Sequence, residues 1–172
     1  TLAIGYRQIF IKGKADIMKE IWATPERYNE FYNLDGESKV EGNFTKDKFK
    51  AHIFKKVPAI EDQDYTLEYT VTHDGKFTFI RARLDKDAKG FALRDNLKVL
   101  EETKDGLYVR EISYLYPLRW YVRAMGPTAR STMKEELNKV SVMEQCLVEN
   151  TQAFPPTSET IKSCSEKSNK AK

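Results

Sequence analysis

The chain has 172 residues, 40% of them hydrophobic and 12% aromatic, which suits one domain with a substantial core and excludes a disordered chain. Its 29 basic and 26 acidic residues leave a net charge of +3, so no concentrated basic excess marks a nucleic-acid binder. No run of apolar residues is long enough to span a membrane as a helix.

"YRQIFIKGK" (6–14) alternates and is rich in aromatic and β-branched residues, which predicts a strand. The period then changes. Ile17, Ile21 and Trp22 recur at helical spacing, and Thr24-Pro25 interrupts them, predicting two short helices over about 15–23 and 25–32 with Thr24 capping the second. A strand-rich middle follows. "KFKAHIFKKV" (48–57) alternates up to Pro58. "DYTLEYTVTHDG" (64–75) sets Tyr65, Leu67, Tyr69 and Val71 on one face and threonines with Glu68 on the other. Asp74-Gly75 is a hairpin signal leading into "KFTFIRARLD" (76–85). "GFALRDNLKVLEE" (90–102) and "LYVREISYLYP" (107–117) continue the meander, joined through Lys104-Asp105-Gly106. A helix is predicted over about 128–150. Gly126-Pro127 marks the break before it, Thr132-x-x-Glu135 resembles a capping box, and Met133, Leu137, Val140 and Leu147 form its apolar stripe. Residues 151–172 are rich in Ser, Lys and Pro without periodicity, which predicts a disordered tail behind a domain spanning 1–150.

Cys146 and Cys164 lie 18 positions apart with no CxxC and no neighbouring histidine, which excludes a metal framework and a redox motif. Two free thiols are expected; a disulfide would tie the tail to the helix. His52 and His73 have no ligand at metal-binding spacing, and each is expected in a surface or strand-edge role. No metal and no cofactor is predicted. The chain opens on Thr1 rather than Met, which fits removal of an upstream segment such as a signal peptide, although no signal core is visible. A soluble protein is expected, cytoplasmic or, after such removal, periplasmic or secreted.

The order strand, two helices, antiparallel strands and one long final helix resembles the START-like, helix-grip superfamily (SRPBCC), which includes polyketide cyclases and lipid-transport domains. The segment "KADIMKEIWATPERYNEFYNLDGESKV" is similar to that superfamily's opening, and "ERYNEFY" is locally similar to its coenzyme Q-binding branch. The resemblance implies an α+β fold in which a curved antiparallel sheet wraps around the C-terminal helix and encloses a cavity. It also implies binding, and transport, of a hydrophobic or amphipathic small molecule such as a lipid, isoprenoid or polyketide-like compound. The alternatives are a cavity enzyme of the cyclase or dehydratase type, with Glu111 or a tyrosine as general acid/base, and an interaction module with a filled cavity.

Candidate lining residues are Tyr65, Tyr69, Phe77, Phe79, Phe91 and Met133. Arg81 and Arg83 share parity with Phe77 and Phe79; if that face looks inward they can hold an anionic headgroup, and otherwise they are solvated at the rim. Glu111 alternates with Leu107 and Leu115, a carboxylate on an apolar face that needs a partner such as an arginine from a neighbouring strand. In "YLYPLRWYVRAMGP" (114–127), Arg119, Trp120, Tyr121, Arg123 and Met125 form a short amphipathic segment with cationic flanks. Its position before the last helix predicts a gate in peripheral contact with a membrane; the competing reading makes its apolar side a plug for the protein's own core.

Overall fold

A computed structural model describes residues 3–13, 15–23, 37–45, 48–55, 62–84, 92–117, 119–120, 124 and 126–171. The elements run β1 (Ala3–Lys12), α1 (Ala15–Ala23), β2 (Glu37–Thr45), β3 (Lys48–Lys55), β4 (Gln63–Asp74), β5 (Phe77–Leu84), β6 (Ala92–Glu102), β7 (Gly106–Pro117), α2 (Gly126–Asn150) and α3 (Ser158–Asn169). The expected second helix over 25–32 lies outside the described residues.

The seven strands form one antiparallel sheet in the order β1-β7-β6-β5-β4-β3-β2. The chain meanders from β2 to β7, and β1 closes against β7 with Arg7 opposite Glu111 and Ile9 opposite Val109. The β4–β5 turn is the expected one. Gly75 has φ +56, a left-handed conformation that glycine adopts without a Cβ clash.

Period-2 alternation puts Ile11, Leu107, Val109, Leu100, Ile80, Ala82, Leu67, Tyr69, Phe49 and Ala51 on one face of the sheet, where they are buried. α1 adds Ile17, Met18 and Ile21 to this core, and α2 adds Met143, Cys146, Leu147 and Val148. Each fully buried Ile, Leu, Val, Phe or Met among them contributes roughly 1.5–3 kcal/mol by leaving water. α2 packs along β1, where Met133 and Leu137 lie over Gly5. A Cβ on Gly5 would stand 2.5 Å from the Met133 sulfur, so the close approach depends on glycine.

Four expectations change. Residues 151–171 are not a disordered tail: α3 runs antiparallel along α2, with Cys164 buried and Ile161 and Phe154 packed on the core. Thr157 caps it, its hydroxyl accepting from the Thr160 amide at 3.2 Å. Cys146 and Cys164 are joined in a disulfide rather than free. The short helix has little apolar periodicity of its own, and this covalent tie offsets its weak stripe. Thr132 lies inside α2 and caps nothing, because the helix already begins at Gly126. Gly126-Pro127 is therefore the first turn of α2 rather than a break ahead of it, a place where proline's fixed φ is tolerated.

Candidate functional site: a buried polar cluster in the grip

Two cross-strand rows define the middle of the inner face. One runs Gly5, Ser113, Asn96, Ala82, Tyr69, Phe49; the next runs Arg7, Glu111, Lys98, Ile80, Val71. Both rows are polar towards β1, β7 and β6, and apolar towards β5, β4 and β3. At the apolar end Phe49 and Tyr69 stack with centroids 4.5 Å apart, and Ala82 and Ala51 beside them carry almost no side-chain bulk.

At the polar end Arg7 is the hub. Its Nε donates to Glu111 Oε2 at 2.6 Å, and Nη1 and Nη2 donate to Glu144 of α2 at 2.6 and 3.0 Å. Nη1 also donates to Ser141 Oγ at 3.1 Å. Asn96 Nδ2 donates to the other oxygen of Glu111 at 3.1 Å. Lys98 Nζ bonds Glu144 Oε1 at 3.1 Å and stands 3.7 Å from Glu111. Arg7, Glu111 and Glu144 are buried, while Asn96 and Lys98 keep partial exposure and form the open edge of the cluster. Ser113, in the same row as Asn96, has a buried hydroxyl with no hydrogen-bond partner among the described residues.

Burial alone would weaken the guanidinium charge of Arg7, but Glu144 and Glu111 outweigh it and hold the group more firmly protonated than usual. Burial pushes the Glu144 carboxyl up; Arg7 and then Lys98 outweigh it, and the group stays below the ordinary glutamate range. Both charges survive because each has a partner.

The expected site residues divide between two faces. Tyr65, Tyr69 and Met133 lie on the inner side, Tyr65 half-buried and the other two buried. Glu111 is also there, and its expected arginine partner is Arg7, deep in the structure rather than at a rim. Phe77, Phe79, Arg81 and Arg83 are on the opposite face: β5 buries Thr78, Ile80 and Ala82, so the alternate residues point away from α2. Arg81 and Arg83 are exposed and lower the carboxyl of Asp95, though burial of Asp95 outweighs them and raises it. The phenylalanines therefore do not bring these arginines into the interior. Phe91 lies outside the described residues. Arg119 is exposed and Trp120 is 83% exposed; Tyr121, Arg123 and Met125 lie outside the described residues. Among the described residues no His, Cys, Asp and Glu group could hold a metal ion.

No family model matches the sequence, and no curated protein matches it. Solved structures do. Truncated norcoclaurine synthase from Thalictrum flavum superposes with TM-score 0.57 at 8% identity, covering 87% of this chain and 95% of that one. An aromatase/cyclase from a Streptomyces species gives 0.52 at 11% identity, over 96% and 94%. Human STARD10 gives 0.53 at 11% identity, over 88% and 70%. This chain combines a curved antiparallel sheet with a long C-terminal helix. The fold is the helix-grip. At this identity the likeness concerns the fold alone.

Within the helix-grip, α3 packs against α2, held by the disulfide and by Ser168 Oγ donating to the Lys139 carbonyl at 2.8 Å. Sequence reading found Glu111 but missed Arg7, Lys98, Asn96, Glu144 and Ser113. The signal was present for two of them. Arg7 shares strand parity with Ile9 and Ile11, and Glu144 falls on the helical stripe of Leu137, Val140 and Leu147. A charge on an apolar stripe marks a buried partner.

Proposed function

We propose that this chain binds a hydrophobic or amphipathic small molecule, of the lipid, isoprenoid or polyketide-like kind, between the sheet and α2, and carries it without chemical change. The observation that carries this reading is the graded inner face. Stacked aromatics and two alanines offer an apolar floor at one end, and neutral polar groups at Asn96 and Ser113 stand at the other. Apolar contact supplies affinity at about 25 cal/mol per Å² buried, and a few polar atoms set orientation. A norcoclaurine synthase of this fold has been solved with dopamine and hydroxybenzaldehyde bound, which fits use of such an interior for small molecules.

Catalysis by Glu111 has less support. Both of its oxygens accept hydrogen bonds, from Arg7 and from Asn96, which leaves a poor general base. The test is binding of the neutral dye Nile red. Bound dye should brighten, and Ala82→Trp should abolish binding while the melting temperature stays near wild type. Absence of binding, or binding untouched by Ala82→Trp, overturns the reading; turnover of a polyketide-like substrate by the wild type would favour the enzyme alternative.

A second reading, peripheral membrane contact by the segment entering α2, is favoured by one observation: Trp120 is 83% exposed. A core plug would bury that indole.

A further inference from the structure

Among the described residues β1 and β2 are the two edges of the sheet, and they are guarded differently. β2 carries Glu37, Lys39 and Glu41, and its register with β3 shifts between Glu41 and Thr45. Charges and bulges of this kind discourage a further strand from adding to an edge. β1 lacks both along most of its length. Its ladder to β7 runs unbroken from Ala3 to Lys12, with no proline. Its outward residues Ile4, Tyr6 and Phe10 are 64%, 58% and 39% exposed, three of the four exposed large hydrophobics among the described residues. An inward charge is another common guard. Arg7, however, is already buried and bonded to Glu111, Glu144 and Ser141, so an added strand would strip little further water from it.

We propose that β1 is a dimerisation edge, on which a second copy of this chain adds its own β1, antiparallel, across a two-fold axis at Gln8. The strand's sequence selects both the occupant and the register. A two-fold axis perpendicular to the sheet sets outward residues against outward residues. With the axis at Gln8, every residue from Ile4 to Lys12 is paired. Tyr6 then faces the partner's Phe10, and Lys12 faces the partner's Ile4. Phe10 already leans on Tyr108 with centroids 4.7 Å apart, so a row of three rings would cross the junction. Arg7 faces the partner's Ile9. An axis at Arg7 itself would oppose two arginines, and like charges directly opposite are destabilising. Axes at Tyr6 or Ile9 leave more of the strand unpaired. Such an edge buries less than the roughly 800 Å² per partner of a standard interface, which places the dimer in the micromolar range. The contact lies outside the space between sheet and α2 and does not rest on the ligand-binding reading.

Sedimentation of the intact chain from about 5 to 500 µM should show a monomer–dimer equilibrium. Tyr6→Lys puts a charge on the edge and should weaken the dimer at least about tenfold. Tyr6 is exposed, so the variant keeps the fold. Crosslinking then reads the register. The chain's two cysteines are bonded to each other, so a cysteine introduced on β1 is the single free thiol. Under mild oxidation Gln8→Cys should form a disulfide-linked dimer readily, since facing Cβ atoms stand about 5 Å apart. Two copies of Lys12→Cys would hold their thiols about 27 Å apart and should not crosslink. Mixed with Ile4→Cys, Lys12→Cys should crosslink to it. A chain that stays monomeric at the highest concentration overturns the proposal, and the edge then has another protein's strand or none as its occupant. A dimer that Tyr6→Lys leaves intact overturns it too, as does Gln8→Cys crosslinking no faster than Lys12→Cys.

Discussion

Glu144 has no measurable exposure, yet it stays ionised because Arg7 and Lys98 face it from two strands. Removing one member of a buried pair leaves the other uncompensated, so Glu144→Gln should cost about 3–5 kcal/mol near neutral pH in a denaturant titration. Because the folded carboxyl lies below its usual range, its stabilisation is complete above the unfolded glutamate pKa, about 4.3, and is lost as pH falls through the folded value. The gap between wild type and Glu144→Gln should therefore shrink as pH falls from about 5 to 3; a constant gap would show that the pair does not carry the difference. Two glycines give a second contrast. A Cβ on Gly5 meets the flexible Met133 thioether, whereas a Cβ on Gly106 would stand 2.2 Å from the Ile11 carbonyl oxygen. Gly5→Ala should thus cost about 1–3 kcal/mol, with strong non-additivity when Met133 is also truncated. Gly106→Ala should cost more and resist rescue by any side-chain change, since backbone obstructs it. At this scale the sequence was only partly legible. Glu111 stood out because strand alternation exposed the mismatch, but its arginine partner lies 104 residues away, and no local pattern joins Arg7, Glu111 and Glu144.

Elements were far more legible than contacts. Alternation and turn residues located β3 to β7 to within about two residues, because strand period and glycine-bearing turns are local properties. Face assignment failed on β5. "FTFIRARL" alternates perfectly, and both of its faces carry apolar residues: Phe77 and Phe79 on one, Ile80, Ala82 and Leu84 on the other. Phe77 and Phe79 were expected to line the interior; the register with β4, which sets Ala82 beside Tyr69, decides otherwise. α3 was missed for a related reason. It presents only Ile161 and Cys164 as apolar anchors, and a helix of twelve residues is marginal without tertiary support. The disulfide supplies that support by closing a loop of 18 residues, a constraint worth about 3 kcal/mol. Changing Cys146 and Cys164 together to Ser should lower stability by about that amount. Amide exchange in 158–169 should quicken well beyond that in β6 and β7. Equal quickening throughout would mean that α3 and the sheet open as one unit.

For the whole molecule, the element order and the long closing helix pointed to the helix-grip, since topology rather than residue identity defines that fold, and solved structures share it at 8–11% identity. Among the described residues no helix is long and apolar enough to cross a membrane. Ile4, Tyr6 and Phe10 line the outer side of β1, where Phe10 leans on Tyr108 with centroids 4.7 Å apart; Trp120 is also exposed, just ahead of α2 in the chain and next to exposed Arg119. On the proposed membrane reading, an indole next to a cation would sit at the headgroup level of an anionic bilayer, where each arginine adds about 1 kcal/mol. A Trp22→Phe background leaves Trp120 as the sole tryptophan, since the chain has two. Its emission should be red in the free protein and shift blue on adding phosphatidylserine-containing vesicles. Arg119→Glu with Arg123→Glu should weaken that binding more than tenfold, about 1.4 kcal/mol or more, with little change in thermal stability. Neutral vesicles should bind weakly and indifferently to both changes. A blue emission before lipid is added, with no response afterwards and a large stability loss in Trp120→Ala, would instead describe a plug in the protein's own core and end the membrane reading.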